Sequence, residues 1–122
     1  MLVNQQVSFG YCPQLKNLVS IDAYTGATLS RSERTIEHIK PHSKGGSNNI
    51  NNYLIVGNDI NERRKNKRFD KWIKVRPNIV KNIQEYLNKL RGLKVDGVDY
   101  VEEVKKTLNT EARGVVTFQG NK

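Results

Sequence analysis

The hydrophobic pattern predicts a β-hairpin in the first half of the chain. Ile36, His38 and Pro41 alternate around β-branched residues, which favours a strand because successive strand residues face opposite sides. Residues 41–52 are rich in Gly, Ser, Asn and Lys and predict a loop. The apolar run 53–56, ended by Gly57, is typical of a short buried strand. Ahead of this hairpin, residues 1–20 predict a short strand and a turn of helix.

Helical spacing of apolar residues dominates the second half. Asp59 is of a type that caps helices, so one helix is expected to start there and to continue through a basic stretch to Ile73. Pro77 favours the start of a second helix, and Gly92 its end. A third helix is expected after a turn at 96–97. Their apolar stripes, which we interpret as core, are Ile60, Phe69, Trp72 and Ile73; Ile79, Val80, Ile83, Tyr86, Leu87 and Leu90; and Val101, Val104 and Leu108.

The length of 122 residues suits one compact domain. We therefore predict a single α+β domain over 1–122, with a hairpin-containing core at about 21–68 and a helical extension at about 69–110. Residues 111–122 are expected to be a flexible tail, in which 115–118 can pair as an edge strand.

The charge balance favours a polyanionic partner. The chain has 21 Lys and Arg against 12 Asp and Glu, a formal charge of +9, and such an excess is typical of proteins that bind nucleic acid. Much of it lies in 61–76, where only Glu62 and Asp70 oppose the cations. Charge alone is equally compatible with a solubilising helix face.

Cysteine content and hydropathy exclude further classes of protein. Cys12 is the only cysteine, which excludes an intrachain disulfide and a cysteine-based zinc site. The N-terminus lacks a signal-peptide pattern, and no stretch approaches the roughly 18 apolar residues that span a bilayer. We expect a soluble, cytoplasmic protein without membrane contact.

An ordered series of polar residues carries the candidate chemistry. Glu37-His38 opens the segment Glu-His-Ile-Lys-Pro-His-Ser-Lys-Gly-Gly-Ser; Asn52 follows His38 by 14 residues, and Asn61 follows Asn52 by 9. In this order and spacing the residues resemble the motif of the HNH nuclease family, over about residues 21–68. The resemblance implies the fold of that family, a ββα-metal core in which a β-hairpin packs on a helix with one metal ion between them.

The resemblance also implies a role for each motif residue. His38 is the implied general base, since a neutral imidazole can take a proton from water near physiological pH. Glu37 and Asn61 are the implied ligands of one divalent ion, Mg²⁺ or Mn²⁺, because hard cations accept carboxylate and amide oxygens together with water. Asn52 is implied to tie the loop to the hairpin and to orient His38. Strand alternation by itself would separate Glu37 from His38.

The basic residues around the motif predict DNA contacts. A helix starting beside the metal would carry its cations to flanking phosphates, which position the backbone without reading sequence. The predicted DNA-binding residues are Lys40, Lys44, Arg63, Arg64, Lys65, Lys67 and Arg68. Phe69 and Trp72 are favoured as core residues over base-stacking ones, and His42 is favoured as a surface loop residue.

The chain departs from many HNH domains in lacking their structural zinc. That zinc is held by two CxxC pairs, and the corresponding positions here are Asp22, Thr25, Gly57 and Ile60. We therefore expect no structural zinc and a hairpin held by packing, with the C-terminal helices supplying the missing core.

Two hypotheses of function follow. The first is a metal-dependent HNH endonuclease or nickase, of phage or mobile-element type, that cuts DNA and leaves a 5′-phosphate and a 3′-hydroxyl. The alternative is a nuclease-derived nucleic-acid-binding module with little or no cleavage activity. His38 and Asn61 together favour cleavage, whereas Glu37, where the family more often has Asp or His, keeps the alternative open. Double-stranded DNA is the expected partner, with RNA as an alternative.

Overall fold

A computed structural model describes residues 13–119 of the protein. Its elements are α1 (Pro13–Leu18), β1 (Arg34–His38), β2 (Tyr53–Gly57), α2 (Asn58–Arg64), α3 (Phe69–Lys74), α4 (Pro77–Lys89), β3 (Lys94–Val95), β4 (Val98–Asp99) and α5 (Tyr100–Ala112). This mixture of helices and two small antiparallel sheets agrees with the predicted α+β class. Helix α1 matches the turn of helix expected near the N-terminus, whereas the expectations for 1–12 lie outside the described residues.

The predicted β-hairpin is confirmed. Strands β1 and β2 are antiparallel, with Arg34 opposite Gly57 at one end and His38 opposite Tyr53 at the other. The long polar connection between them folds back on itself at Gly46, where a Cβ atom would overlap the Lys40 carbonyl oxygen. Only glycine permits this close approach. The loop is therefore a defined structure that borders the His38 end of the hairpin.

Hydrogen bonds from other segments satisfy the free edge of β2. The Ile55 N–H donates to the Tyr86 hydroxyl (3.0 Å), and the Ile55 carbonyl accepts from Ala23 N (2.9 Å). Tyr100 in α5 donates to the Tyr53 carbonyl at 2.7 Å. All five residues of β2 are buried, which explains a continuous apolar run in place of alternation. Helices α4 and α5 thus supply partners and core to a sheet of only two strands.

The single helix expected from Asp59 to Ile73 is wrong. Helix α2 begins after Gly57 rather than at Asp59, and it ends at Arg64, after which Lys65 takes φ 53°. The chain then turns so that the Lys67 carbonyl accepts from the Arg64 guanidinium at 2.8 and 3.0 Å. A contact of one side chain with the following loop therefore breaks a run that local propensity would continue.

Both C-terminal helices begin as predicted. Pro77 occupies the first turn of α4, and Asp99 caps α5 by accepting from Glu102 N at 3.1 Å. The turn at Asp96-Gly97 joins β3 and β4, two short strands that the pattern did not predict. Among the described helices, none has the length and hydropathy that crossing a membrane requires.

The segment after α5 differs from the expectation. Helix α5 continues to Ala112, and 115–118 contains no strand. Instead, the Asn109 side chain accepts from Phe118 N (2.7 Å) and donates to Phe118 O (3.1 Å), so its amide pairs with both backbone groups. Phe118 is buried beside Phe69. The predicted edge strand is therefore wrong, whereas the flexibility expected from residue 111 onward stays a prediction.

Candidate active site

Helix α2 runs back along β1 toward His38. Its first residue, Asn58, accepts a hydrogen bond from the Thr35 hydroxyl at the far end of the hairpin. Its last residue, Arg64, donates from Nη1 to Glu37 Oε2 and to the His38 carbonyl, both at 2.8 Å. We expected the start of a helix beside the site, and this is wrong because β2 delivers the chain to the opposite end. The last turn of α2 forms the site.

Glu37 is a buried carboxylate held on one oxygen. It is 4% exposed, and its Oε2 accepts from the Tyr24 hydroxyl at 2.7 Å as well as from Arg64. No hydrogen bond from residues 13–119 reaches Oε1. Burial raises the pKa of Glu37, although Arg64 and Tyr24 act in the opposite direction. Burial, reinforced by Glu37, also raises the pKa of Tyr24 well above its ordinary value, so Tyr24 stays protonated and remains a donor.

Arg64 is a structural cation. It is fully buried, and its nitrogens donate to the Tyr24 hydroxyl, to Glu37 and to three backbone carbonyls, those of His38, Ile39 and Lys67. Its predicted role in DNA binding is therefore wrong, because no donor is left to face a phosphate. The sequence signal that distinguishes it within the basic run is helical phase: Arg64 follows the half-buried Ile60 by four residues.

His38 ends β1 on the loop side of the hairpin. Its ring packs edge-on against Tyr53, with centroids 5.3 Å apart, and lies 6.0 Å from the exposed His42 ring. Its Nε2 is 3.0 Å from Asn48 Oδ1. Glu37, in contrast, is directed toward Tyr24 and α2. Strand alternation does separate the two side chains, and Arg64 links them by binding the Glu37 carboxylate and the His38 carbonyl together.

Asn52 organises the loop through its side chain. It is 2% exposed; Oδ1 accepts from Lys40 N (2.9 Å), and Nδ2 donates to the carbonyls of Lys40 (3.1 Å) and Ser47 (2.9 Å). These bonds tie the loop to the hairpin. Within the described part of the chain no hydrogen bond joins Asn52 to His38, so any effect on the imidazole passes through the loop backbone.

Asn61 lies on the inner side of α2. It precedes Arg64 by three residues, so the two share a helix face. Its side chain has no hydrogen bond among residues 13–119, and it borders a depression of about 270 Å³ with Glu62 and Lys65. No cluster of three His, Cys, Asp or Glu is present in these residues. One carboxylate plus one amide oxygen suits a hard cation that keeps several waters.

The remaining basic residues divide by exposure. Arg63, Lys65, Lys67 and Lys44 are exposed, and Lys40 is half-buried. Arg68 is exposed but makes a bidentate pair with Asp70 at 2.7 and 2.9 Å, which lowers the pKa of Asp70 to about 2. Arg68 is thus partly neutralised within the chain. Phe69 and Trp72 are 1% exposed, which confirms them as core residues.

The four positions of the missing zinc ligands lie around one cavity of about 450 Å³, at the end of the hairpin opposite His38. There the buried Asp22 carboxylate accepts from the backbone N–H groups of Tyr24 (2.9 Å), Thr25 (3.2 Å) and Gly57 (2.9 Å). We expected packing to hold this end. A carboxylate also cross-links the two segments, a role that sequence reasoning missed although it identified Asp22 as one of the four positions.

A comparison with protein families agrees with the motif. Residues 22–69 match the family model described as HNH endonuclease, so this segment of the chain is similar to HNH endonucleases. The match covers the hairpin and α2, and it ends at the first residue of α3. No match was found among curated proteins or among solved structures. This similarity suggests a nuclease-type function with a nucleic-acid substrate.

Proposed function

We propose that the protein is a metal-dependent endonuclease that hydrolyses DNA phosphodiester bonds with His38 as general base. The observation that supports this most is that the segment matching the HNH endonuclease model carries three groups with the required chemistry. These are the Glu37 carboxylate with its Oε1 unengaged, the His38 imidazole at the strand end, and the inner face of α2 that carries Asn61.

Glu37 and Asn61 are the proposed ligands of one Mg²⁺ or Mn²⁺ ion. Tyr24 and Arg64 fix Oε2, so the carboxylate is oriented while Oε1 stays available. When bound, a divalent cation supplies electrostatic stabilisation of the negative charge that grows on the phosphate and on the leaving 3′-oxygen. A buried carboxylate gains from such a cation because burial otherwise disfavours its charged form.

His38 takes the proton of the attacking water in this proposal. Its ring is limited in orientation by Tyr53 and by Asn48, which is the pre-organisation that general-base catalysis requires. The expected products carry a 5′-phosphate and a 3′-hydroxyl. With one site in each chain, a monomer nicks one strand at a time, and a double-strand break requires two events or two chains.

DNA is the proposed substrate, held through its phosphates. Arg63, Lys65 and Lys67 follow or lie on the last turn of α2, and Lys40 and Lys44 lie on the loop that borders His38. Cations on both sides of the site fit a backbone that crosses it. Such contacts do not distinguish sequences, so we expect little site preference from this surface.

One observation favours the alternative of a binding module. The buried Arg64 guanidinium lies 2.8 Å from Glu37 Oε2 and opposes a second positive charge beside the same carboxylate. A protein in which this ion pair replaced the metal would bind nucleic acid without cutting it.

The two functions are separated by incubating supercoiled plasmid with purified protein in Mg²⁺, in Mn²⁺ and in chelator. We expect metal-dependent conversion to nicked circles, reduced roughly 10²–10⁴-fold in His38→Ala. His42→Ala is the matched control, since its exposed ring lies in the same loop, and it should cut like the wild type. Gel retardation of DNA without nicking in either metal would favour the binding module. A single-stranded RNA run in parallel tests the other substrate.

A further inference from the structure

The imidazole of His38 is held by a side chain outside the motif. Asn48 lies in the polar loop, ten residues after His38, and its Oδ1 is 3.0 Å from His38 Nε2. Both residues are partly buried. Asn52 is the motif residue expected to orient His38. Its side chain instead hydrogen-bonds to the backbone of Lys40 and Ser47.

The chemistry of this contact specifies which ring nitrogen carries hydrogen. An amide oxygen only accepts hydrogen bonds, so the Nε2 that faces Asn48 Oδ1 must be the donor. In a neutral imidazole the second nitrogen then holds the lone pair, because the partner of one nitrogen selects the tautomer. The contact with Asn48 therefore leaves Nδ1 of His38 as the nitrogen that can accept a proton.

Asn48 is itself fixed on both sides. Its backbone carbonyl accepts from the Tyr53 hydroxyl at 2.6 Å, and Tyr53 also packs its ring against His38. The preceding residue, Ser47, is held through its carbonyl by Asn52 Nδ2 at 2.9 Å. Asn52 thus places the segment 47–48, and Asn48 in turn places the imidazole.

We propose that Asn48 is the positioning residue of His38 and that Nδ1 is the nitrogen that accepts the proton of water. The inference rests on the proposed endonuclease function. In the hydrolysis step Nδ1 takes the proton while the water oxygen forms a bond to phosphorus. The bond from phosphorus to the 3′-oxygen breaks, and its electron pair stays on that oxygen, which is protonated from solvent. Asn48 touches neither water nor phosphate.

The first test is spectroscopic and needs no activity. The chain has two histidines, so in a His42→Gln background long-range ¹H–¹⁵N spectra of the neutral ring report on His38 alone. We expect a protonated Nε2 and an unprotonated Nδ1. Asn48→Leu should give a mixture of the two tautomers, whereas Asn48→Asp, which keeps an accepting oxygen, should restore the single form. Asn49→Leu is the matched control, because the Asn49 side chain is exposed and does not contact His38.

The second test is kinetic, on plasmid or on a short duplex. Loss of a hydrogen bond that orients a functional histidine costs roughly 10- to 100-fold. We expect Asn48→Leu to lower kcat by that factor with KM unchanged, and Asn48→Asp to recover most of kcat. An Nδ1–H tautomer in the wild-type ring, or an Asn48→Leu variant with unchanged spectrum and kcat, would overturn the assignment. A ring held as described in a protein that cuts nothing would support the contact and overturn the endonuclease.

Discussion

The two ends of the hairpin each hold a buried carboxylate, and the two carboxylates are bonded differently. Among residues 13–119, Asp22 accepts from backbone N–H groups alone, and both of its oxygens are used. Within the same described range, Glu37 accepts from side chains alone, and both bonds fall on Oε2. Tyr24 joins the two ends, since its N–H donates to Asp22 and its hydroxyl to Glu37. The Asp22 carboxylate joins two segments of the fold, whereas Glu37 keeps Oε1 without a hydrogen bond from the described residues.

The contrast extends to charge. No salt bridge reaches Asp22 from the described residues, whereas Glu37 forms a buried ion pair with Arg64. A buried pair adds little net stability, but removal of one partner leaves an uncompensated charge. The Glu37 end is therefore the more sensitive of the two to substitution.

Arg64→Leu is expected to have the largest effect, a loss of stability. This change leaves the Glu37 charge buried and removes the donors that hold the His38, Ile39 and Lys67 carbonyls. We expect a loss of about 3–5 kcal/mol in the free energy of unfolding, measured by urea denaturation. Arg63→Leu, one position away and exposed, is the control and should leave the midpoint near that of the wild type. Equal midpoints for both variants would show that Arg64 is not a structural cation.

Glu37→Gln should lower the cleavage rate while the fold is retained. The amide keeps an acceptor for Tyr24 and Arg64 but gives up the charge that a cation requires. We expect cleavage to fall roughly 10²–10³-fold, which is what loss of one strong transition-state contact typically costs. The measurement is the nicking rate at saturating Mn²⁺, with circular dichroism to verify the fold. A rate within a factor of two of the wild type would remove Glu37 from the metal site.

Asp22→Ala should lower stability more than it lowers the nicking rate, which is the reverse of the effect expected for Glu37→Gln. Three backbone N–H groups, two of them buried, would lose their acceptor, and each unsatisfied buried group costs about 1–3 kcal/mol unless water reaches it. We expect a stability loss of about 3 kcal/mol in urea denaturation, while the nicking rate per folded molecule is retained. A stable but inactive Asp22→Ala protein would reverse the assignment of the two ends.

The raised pKa of Glu37 predicts how metal and pH act together. The folded protein holds this proton more tightly than the unfolded chain does, so the stability from this group is full below the ordinary glutamate pKa and is lost as pH rises through the folded pKa. Mn²⁺ should offset that cost at neutral pH, by about 2.7 kcal/mol at one hundred times its Kd. Thermal melts should show a Tm increase with Mn²⁺ that vanishes on acidification and in Glu37→Gln. An increase in that variant would place the ion elsewhere.

Features set by local pattern could be predicted from the sequence. The strand alternation around His38, the buried run before Gly57 and the start of α4 at Pro77 depend on residues close in the chain. The resemblance of the motif also predicts that Glu37 and Asn61 belong to one site, which stays a prediction.

Features set by contacts between distant segments could not be predicted. Helical phase separates Arg64 from its basic neighbours, but only the fold shows that its guanidinium contacts the loop after α2 and supports Glu37. Asp22 cross-links this end of the hairpin only because β2 brings Gly57 N to it. Asn48 is one of several polar loop residues until the turn at Gly46 brings it to His38.

The location of a bound ion tests the central claim most directly. In crystals grown with Mn²⁺, an anomalous difference map should show one peak per chain, between Glu37 Oε1 and the Asn61 side chain and close to the His38 ring. Data from an Asn61→Ala crystal should show that peak weakened or absent. A peak at the Asp22 end of the hairpin, or none in crystals of a protein that still nicks DNA, would contradict the account.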